Sequence, residues 1–247
     1  MSGLAFTNPK VQRLRRLLGR RSARREEAAL VVEGRAMAEL AAEAGHTVEA
    51  VFVPAGAELP GGALGGAPCH ALAPGVLERV ATTETPQPLL AVVRYRPAAT
   101  DVLADAGFVV VAAGLSDPGN LGTILRTAEA AGADAVATTP DTVDVTNPKV
   151  VRAAAGAVFL LPIVDQIELG EVRSLGLRLL GTAAGGGMPY TNADLTGRVA
   201  VVVGNEAHGL PDDTPVDEWI SIPHAGRAES LNAAMATAVI CLSLIHI

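Results

Sequence analysis

The spacing of apolar residues in the first third of the chain alternates between helical and strand-like patterns. Asn8, as an N-cap, and Pro9, at the first helical position, predict a helix with a periodic apolar face. Later patterns predict strands over residues 29–32, 48–53 and 89–93 and helices over residues 35–44 and 74–81. Residues 1–97 are therefore predicted to form a small α/β domain.

Farther along, the apolar positions come in continuous runs. These runs predict strands over residues 108–113, 135–138, 159–163, 177–181 and 199–203, with helices over 121–131, 148–154, 168–175 and from 229 onward. Because strands covered on both faces are typical of parallel sheets, residues 108–247 are predicted to form a doubly wound α/β domain. A stretch rich in proline and small residues precedes it, and we assign residues 98–107 as the linker.

Composition narrows the class of protein. The 247 residues are 49% hydrophobic and 18% charged, which excludes a disordered or collagen-like chain. Aromatic residues make up only 3%, so we do not expect aromatic platforms for single-stranded nucleic acid. Cys69 and Cys241 stand far apart, which argues against a disulfide framework and a metal site. No secretory pattern precedes the first domain, and we expect a cytoplasmic protein without a membrane anchor.

The net charge of −7 hides a basic segment. Residues 1–35 carry nine basic residues against three acidic ones, and the rest of the chain is correspondingly acidic. Clustered arginines bind polyanions because they release counterions from phosphates, whereas an arginine-rich helix can equally be a solvated surface. The basic segment makes RNA contacts a hypothesis for the following residues: Lys10, Arg13, Arg16, Arg20 and Arg35.

The final six residues, 242–247, form a segment of doubtful origin. Their sequence, LSLIHI, resembles the translation of a transposon end used in preparing sequencing libraries. We predict that this segment is a sequencing scar and that the native gene continues, the alternative being an ordinary apolar helix end.

Common site motifs do not occur in the sequence. It contains no GxGxxG, GxxxxGK[ST], HExxH or GxSxG pattern. Instead, three polar, glycine-containing stretches follow or span predicted strands, where ligands bind in open parallel sheets: residues 117–128 (DPGNLGTILRTA), 204–210 (GNEAHGL) and 222–232 (IPHAGRAESLN). A helix starting near Leu121 would offer free amides to a phosphate, with Arg126 in reach.

Together with residues 147–153 (NPKVVRA), these stretches resemble the motifs of the SpoU/TrmH family of RNA ribose methyltransferases, in the same order. The resemblance covers residues 108–242, and residues 1–97 resemble the small ribosomal-protein-like substrate-binding domain often attached to that family. Ala154 stands where a serine is usual. The resemblance implies a doubly wound sheet with a trefoil knot, a homodimer, S-adenosylmethionine as the cofactor, and methyl transfer to a ribose 2′-hydroxyl.

The family's functional residues can be carried over one by one. A cofactor site made largely of backbone is implied at Thr182, Ala183, Gly204, Ile222 and Leu231. Catalytic residues are implied at Asn120, Arg126, Glu206, Ser230 and Asn232, with Arg126 also contacting RNA.

Several of these roles have alternatives. A guanidinium pKa above about 12 makes Arg126 a better phosphate clamp than base. Glu206 either assists with the proton or accepts bonds from loop amides, and Ser230 and Asn232 either orient the hydroxyl or cap the last helix.

The sequence thus predicts an S-adenosylmethionine-dependent RNA 2′-O-methyltransferase acting on ribosomal RNA. Two alternatives remain: a transfer-RNA methyltransferase, and a non-catalytic RNA-binding or ribosome-assembly factor on the same fold. An α/β oxidoreductase is disfavoured, because the dinucleotide fingerprint is missing.

Overall fold

The computed structural model describes residues 3–58, 60–227 and 230–244 of the chain. Its helices are α1 Pro9–Gly19, α2 Arg21–Glu27, α3 Arg35–Glu43, α4 Val76–Val80, α5 Pro118–Ala130, α6 Pro148–Ala153, α7 Ala157–Leu160, α8 Leu169–Ser174 and α9 Ala233–Leu244. Its strands are β1 Ala29–Glu33, β2 Val48–Pro54, β3 Cys69–Leu72, β4 Leu90–Arg94, β5 Phe108–Ala112, β6 Ala135–Thr138, β7 Ile163–Val164, β8 Arg178–Ala183, β9 Met188–Pro189, β10 Val199–Val203 and β11 Glu218–Ser221.

Contacts between Cα atoms divide the chain into two units. Unit 1 comprises Met1–Arg96 and Thr146–Phe159, and unit 2 comprises Pro97–Val145 and Leu160–Ile247. The segment that carries α6 therefore groups with unit 1, although it lies between two strands of unit 2 in the sequence. The linear domain boundaries of the sequence analysis did not include such an excursion, and they stay a prediction.

Unit 1 is built on a four-stranded sheet in the order β1-β4-β2-β3. Strand β4 is antiparallel to β1 and β2, and β3 is parallel to β2. Helix α1 begins as predicted, since the Asn8 side chain accepts a hydrogen bond from the Lys10 amide at 2.9 Å. Its periodic apolar residues, Val11, Leu14 and Leu17, are buried in the core of the unit.

Unit 2 is built on a seven-stranded parallel sheet in the order β7-β6-β5-β10-β8-β11-β9. The four-residue strand β6 and the five-residue strand β10 are buried throughout, as the continuous apolar runs predicted. The Arg198 guanidinium ties β10 to the surrounding loops, because it donates to the carbonyls of Leu103, Leu175 and Ala106 at 2.8 to 2.9 Å. The predicted α/β class with a parallel sheet is confirmed.

Some predicted elements differ from the structure. The strand predicted over residues 159–163 is wrong: Phe159 and Leu160 end helix α7, and strand β7 contains only Ile163 and Val164. A short apolar run cannot by itself distinguish a buried strand from a buried helical turn. Strands β3 and β9 were not predicted, and β11 was expected only as a strand ending near residue 222, without bounds. These strands lie at or next to sheet edges and have no continuous apolar run.

The chain's last helix begins later than predicted. Helix α9 starts at Ala233, and residues 228 and 229, where the predicted start falls, lie outside the described residues. Of the suspected scar, Leu242 and Ser243 belong to α9, whereas residues 245–247 lie outside the described residues. Among the described helices, none is both long and apolar enough to span a bilayer.

Candidate active site

A cleft of about 650 Å³ opens in unit 2, beside the carboxyl ends of β8, β10 and β11. Thr182 and Ala183 close β8, Gly204 follows β10, and Ile222 follows β11. Leu231, just before α9, lies on the same wall. The structure thus brings together all the residues implied as a cofactor site, although they span about fifty positions of sequence.

Gly204 is required at its position by a close approach of backbone. A Cβ atom there would lie 2.5 Å from the Leu210 nitrogen and 2.7 Å from the Gly209 oxygen. The loop turns back so tightly because Asn205 and Gly209 exchange backbone hydrogen bonds of 3.1 and 2.8 Å. Any side chain at residue 204 would therefore push the loop into the cleft or out of register.

A glycine-rich loop after β8 forms another wall that the sequence reasoning missed. Gly185 and Gly187 line the cleft. Gly187 has a φ of +80°, and a Cβ atom there would lie only 2.8 Å from the Trp219 carbonyl oxygen. The run of three glycines at 185–187, directly after a predicted strand, was the signal for it. Asp212, His208 and His224 also line the cleft, and the two histidines are exposed.

Glu206 anchors the loop after β10 to the start of α5. One carboxylate oxygen, Oε1, accepts from the Asp117 amide and the Asn120 side-chain amide, both at 3.1 Å. The other, Oε2, accepts from the amide and hydroxyl of Ser116 at 3.3 Å. Burial alone raises the pKa of Glu206, but these hydrogen bonds outweigh it and hold the pKa below the usual value.

Asn120 links Glu206 to a second asparagine. The Asn232 amide donates to Asn120 Oδ1 at 2.9 Å, and Asn120 Nδ2 donates onward to Glu206. Asn232 also accepts from the amides of Ala234 and Met235, at 2.9 and 3.3 Å, and so caps α9. Of the two alternatives from the sequence, the structure shows the helix cap, and the side-chain nitrogen that the cap leaves free bonds to Asn120. Orientation of the hydroxyl by Asn232 stays a prediction.

The crevice between β5 and β10 is closed by the protein's own groups. Asn205 Nδ2 donates to the Gly114 carbonyl at 2.8 Å, and Glu206 covers the amides of Ser116 and Asp117. Helix α5 begins at Pro118 and not near Leu121, and the Asp117 carboxylate already accepts from the Asn120 amide at 2.8 Å. The amides of Ser116, Asp117, Asn120 and Leu121 are therefore already bonded within the protein, which leaves fewer free amides for a phosphate than the sequence predicted.

Two of the implied catalytic residues have few contacts. Ser230 lines the cleft and is exposed. Arg126 is exposed on α5 but does not line the cleft, and it has no hydrogen bond or ion pair to any described residue. A single chain thus does not bring Arg126 to the residues with which the sequence grouped it.

In unit 1, several arginines of the basic segment are paired with carboxylates. Arg13 contacts Glu27 at 2.5 Å and Glu49 at 2.6 Å, and Arg16 contacts Glu27 at 2.8 Å. Arg35 pairs with Glu39 one helical turn away at 2.8 Å, Lys10 Nζ lies 3.0 Å from His70 Nε2, and Arg20 is exposed between α1 and α2. The positive charge of the basic segment is therefore partly neutralised by internal ion pairs, and the RNA contacts suggested for it stay a prediction.

Cys69 and Cys241 are both free thiols, and Cys241 is buried, which raises its pKa to about 12. Within the part of the chain that the structure describes, no cluster of three or more His, Cys, Asp or Glu side chains is arranged for a metal.

The sequence matches two family models. Residues 107–242 match the SpoU rRNA Methylase family, and residues 8–91 match the MRM3-like substrate binding domain. The 23S rRNA (guanosine(2553)-2′-O)-methyltransferase RlmP of Bacillus subtilis is 34% identical over 219 residues, which cover 87% of each protein. The 23S rRNA (guanosine-2′-O-)-methyltransferase RlmB of Escherichia coli K12 is 35% identical over 144 residues, 56% of this chain and 59% of RlmB.

Solved structures resemble the whole chain. The SpoU methyltransferase AviRb from Streptomyces viridochromogenes, in complex with AdoMet, superposes with a TM-score of 0.87 at 31% identity over 97% of both chains. The AdoMet-bound rRNA methyltransferase from Sinorhizobium meliloti superposes with a TM-score of 0.85 at 27% identity, covering 100% of this chain and 97% of that one.

Proposed function

The chain belongs to the SpoU rRNA methylase family, and we propose that it transfers a methyl group from S-adenosylmethionine to a ribose 2′-hydroxyl of ribosomal RNA. One observation carries the proposal: the residues implied for the cofactor meet in one cleft, next to the hydrogen-bonded series Asn232, Asn120 and Glu206. RlmP and RlmB are named as 2′-O-methyltransferases of 23S rRNA, and two similar structures hold AdoMet.

The cleft suits S-adenosylmethionine in size and in lining. Its volume of about 650 Å³ lies within the usual range for small-molecule sites, roughly 300 to 1,000 Å³. Ile222 and Leu231 provide apolar wall for a flat base, and the backbone near Gly204 and Ala183 provides polar groups. When bound, the cofactor supplies a methyl group already activated on a sulfonium. The protein therefore needs mainly to align the ribose hydroxyl and assist loss of its proton.

Glu206 acts in this scheme as a positioning residue. Because its pKa lies below the usual value, it stays ionised near neutral pH and is a poor proton acceptor. Its charge holds Asn120, which in turn accepts from Asn232. The series fixes the start of α9, and with it Ser230 and Leu231 at the mouth of the cleft.

We assign the catalytic role of Arg126 to a homodimer. Helix α9 contacts α5, the helix that carries Arg126. Along α9, Met235, Val239 and Leu242 are 60%, 38% and 43% exposed at helical spacing, an apolar stripe suited to a second copy of the chain. Association through this stripe would cover it and bring the adjoining α5 to the copy's surface, where Arg126 would clamp a phosphate of the bound RNA.

Selection of the RNA is assigned to unit 1, because residues 8–91 match a substrate-binding model. The enzyme would work in the cytoplasm, on ribosomal RNA or its precursors. The trefoil knot stays a prediction from the family resemblance.

The test is methyl transfer from isotope-labelled S-adenosylmethionine to unmodified ribosomal RNA, with transfer RNA as the comparison substrate. We expect the label to map to one nucleotide of ribosomal RNA and to stay on the ribose when the nucleobase is removed. Label only in transfer RNA would refute the assignment to ribosomal RNA. Cofactor and RNA binding without label in either RNA would favour the non-catalytic assembly factor.

A further inference from the structure

A second charged feature of unit 1 consists of arginines that lie on an aromatic ring. The Arg79 guanidinium of α4 stands 3.8 Å from the centroid of the Phe6 ring, and the Arg15 guanidinium of α1 stands 4.5 Å from it. Both distances are well inside the range of roughly 6 Å for cation–π contacts. Arg15 and Arg79 are exposed, whereas Phe6 is half-buried against the core of the unit.

The ring is held in place by its own segment of chain. Just before it, the Leu4 amide donates to the Ala71 carbonyl at 2.7 Å, and the Leu4 carbonyl accepts from the Ala73 amide at 3.0 Å. The Gln12 side-chain nitrogen donates to the Phe6 carbonyl at 2.5 Å, and its oxygen accepts from Arg15 at 3.0 Å. The Phe6 ring is thus held in place, and it packs against both guanidinium groups.

The two cations at this ring have no carboxylate partner among the described residues, unlike Arg13, Arg16 and Arg94 of the same unit. Two like charges held at one ring repel each other, and an anion bound beside them would relieve that repulsion. A guanidinium on an aromatic ring keeps its outer face for a ligand, and of the N–H groups of Arg15 only Nη1 donates to a described residue, Gln12. The remaining N–H groups fit a phosphate in two-pronged geometry, and the outer face stacks on a nucleobase.

We propose that Arg15, Phe6 and Arg79 form a nucleotide platform for unpaired RNA. On this platform a nucleobase stacks on a guanidinium plane, and the adjoining phosphates accept hydrogen bonds from the guanidinium N–H groups. The proposal rests on the function proposed above, in which RNA is the substrate. It adds a contact outside the cleft and outside the residues that the sequence suggested. It also provides stacking surface in a chain with few aromatic residues, because guanidinium planes take the place of rings.

The experiment measures binding of a labelled oligouridylate strand, and of an RNA duplex of the same length, to the full chain at several salt concentrations. The variants are Arg15→Gln/Arg79→Gln and Arg15→Lys/Arg79→Lys. The control is Arg94→Gln/Arg173→Gln, which removes two exposed arginines that are paired with Glu49 and Asp217. Thermal melting verifies that each variant is folded. If an arginine variant is not folded, Phe6→Leu is used in its place, since it removes the ring on which both guanidinium groups lie.

For the glutamine pair we expect about a tenfold loss of affinity for the single strand and a salt slope lower by about 1.4, the contribution of two phosphate contacts. The lysine pair should keep the slope and lose several-fold in affinity, because ammonium groups do not stack. The duplex should be affected less than the strand, since its bases are not available for stacking.

The platform would be overturned by unchanged binding in the glutamine pair, by an equal loss in the control pair, by lysine variants with wild-type affinity, or by equal losses for strand and duplex. Polyglutamate that competes as well as RNA would show a site for acidic protein instead. Methylation of ribosomal RNA is measured in parallel. Wild-type chain that binds RNA through the platform without methylating it would refute only the proposed function. Normal methylation and unchanged binding by the glutamine pair would refute only the platform.

Discussion

The cleft of unit 2 and the platform of unit 1 hold charged and polar groups in different ways. In the cleft, the Glu206 carboxylate is fixed by backbone amides and by a short asparagine side chain. On the platform, Arg15 and Arg79 are long side chains that meet over one ring and remain exposed.

The difference matches what each region has to do. Alignment of a hydroxyl with a methyl group tolerates little movement, so short groups on strand ends and loops closed by glycine are suitable. Binding of a flexible polymer tolerates movement, and long side chains adapt to it at the cost of rotamer entropy. Substitutions in the cleft should therefore be severe and specific to position, whereas those on charged surfaces of unit 1 should be graded.

The largest effect is expected for Gly204→Val. Its side chain would collide with the backbone of Gly209 and Leu210. A cost near the roughly 3 kcal/mol upper range for overpacking corresponds to about a 100-fold loss of cofactor affinity, and turnover should fall with it. Calorimetric titration with S-adenosylmethionine measures the loss. Gly185→Ala is the control, since a Cβ there meets no atom within 4 Å; equal losses in the two variants would show that close approach is not the cause.

Arg126→Ala should lower turnover about 100-fold, the scale for one positioned electrostatic group, and leave cofactor affinity and melting temperature nearly unchanged. The melting temperature should not change because the Arg126 side chain is exposed. Initial rates with ribosomal RNA, together with cofactor titration, provide the measurement. If the residue acts across a dimer, mixing Arg126→Ala with Gly204→Val chains should restore part of the activity, because some mixed dimers contain one intact site. If mixed dimers form but no activity is recovered, Arg126 acts on RNA bound at the cofactor site of its own chain.

Glu206→Gln should destabilise the fold by about 2 kcal/mol at neutral pH, because an amide nitrogen would face backbone donors. The lowered pKa of Glu206 means that its contribution is present above the usual carboxyl pKa and lost as the pH falls through the lowered value. The variant should therefore lose less stability on acidification than wild type. Denaturant unfolding between about pH 7 and about pH 3 measures this. If wild type and variant lost the same stability between neutral and acidic pH, the ionised form of Glu206 would not be stabilised by the fold.

The smallest effect is expected for Arg13→Gln in unit 1, about 1 kcal/mol of stability, because exposed ion pairs contribute little. Its two carboxylate partners, Glu27 and Glu49, both have lowered pKa values despite the opposing effect of burial. The loss should shrink at high salt, since half-exposed pairs are screened. Unfolding at two salt concentrations gives the comparison. A loss as large as that of Glu206→Gln, and insensitive to salt, would remove the distinction between the two regions.

Local chemistry made parts of the fold predictable. Asn8 and Pro9 set the start of α1, and the buried strands β6 and β10 followed from their apolar runs. The helix start at Pro118 has the same cap-and-proline signal in Asp117, which the prediction overlooked. The short run at 159–163 was mistaken for strand, because its length and composition suit either state.

The sequence by itself determined the class of fold, the order of most elements and the stretches that line the cleft, because these depend on local spacing and on motifs contiguous in the chain. Only the tertiary structure decided which charges are paired and which groups meet. Arg13 and Arg16 reach Glu27, Arg15 and Arg79 reach one ring, and Asn232 reaches Asn120 across 112 positions. Such contacts depend on how strands and helices are brought together in space, and a count of charges along the chain carries no information about that.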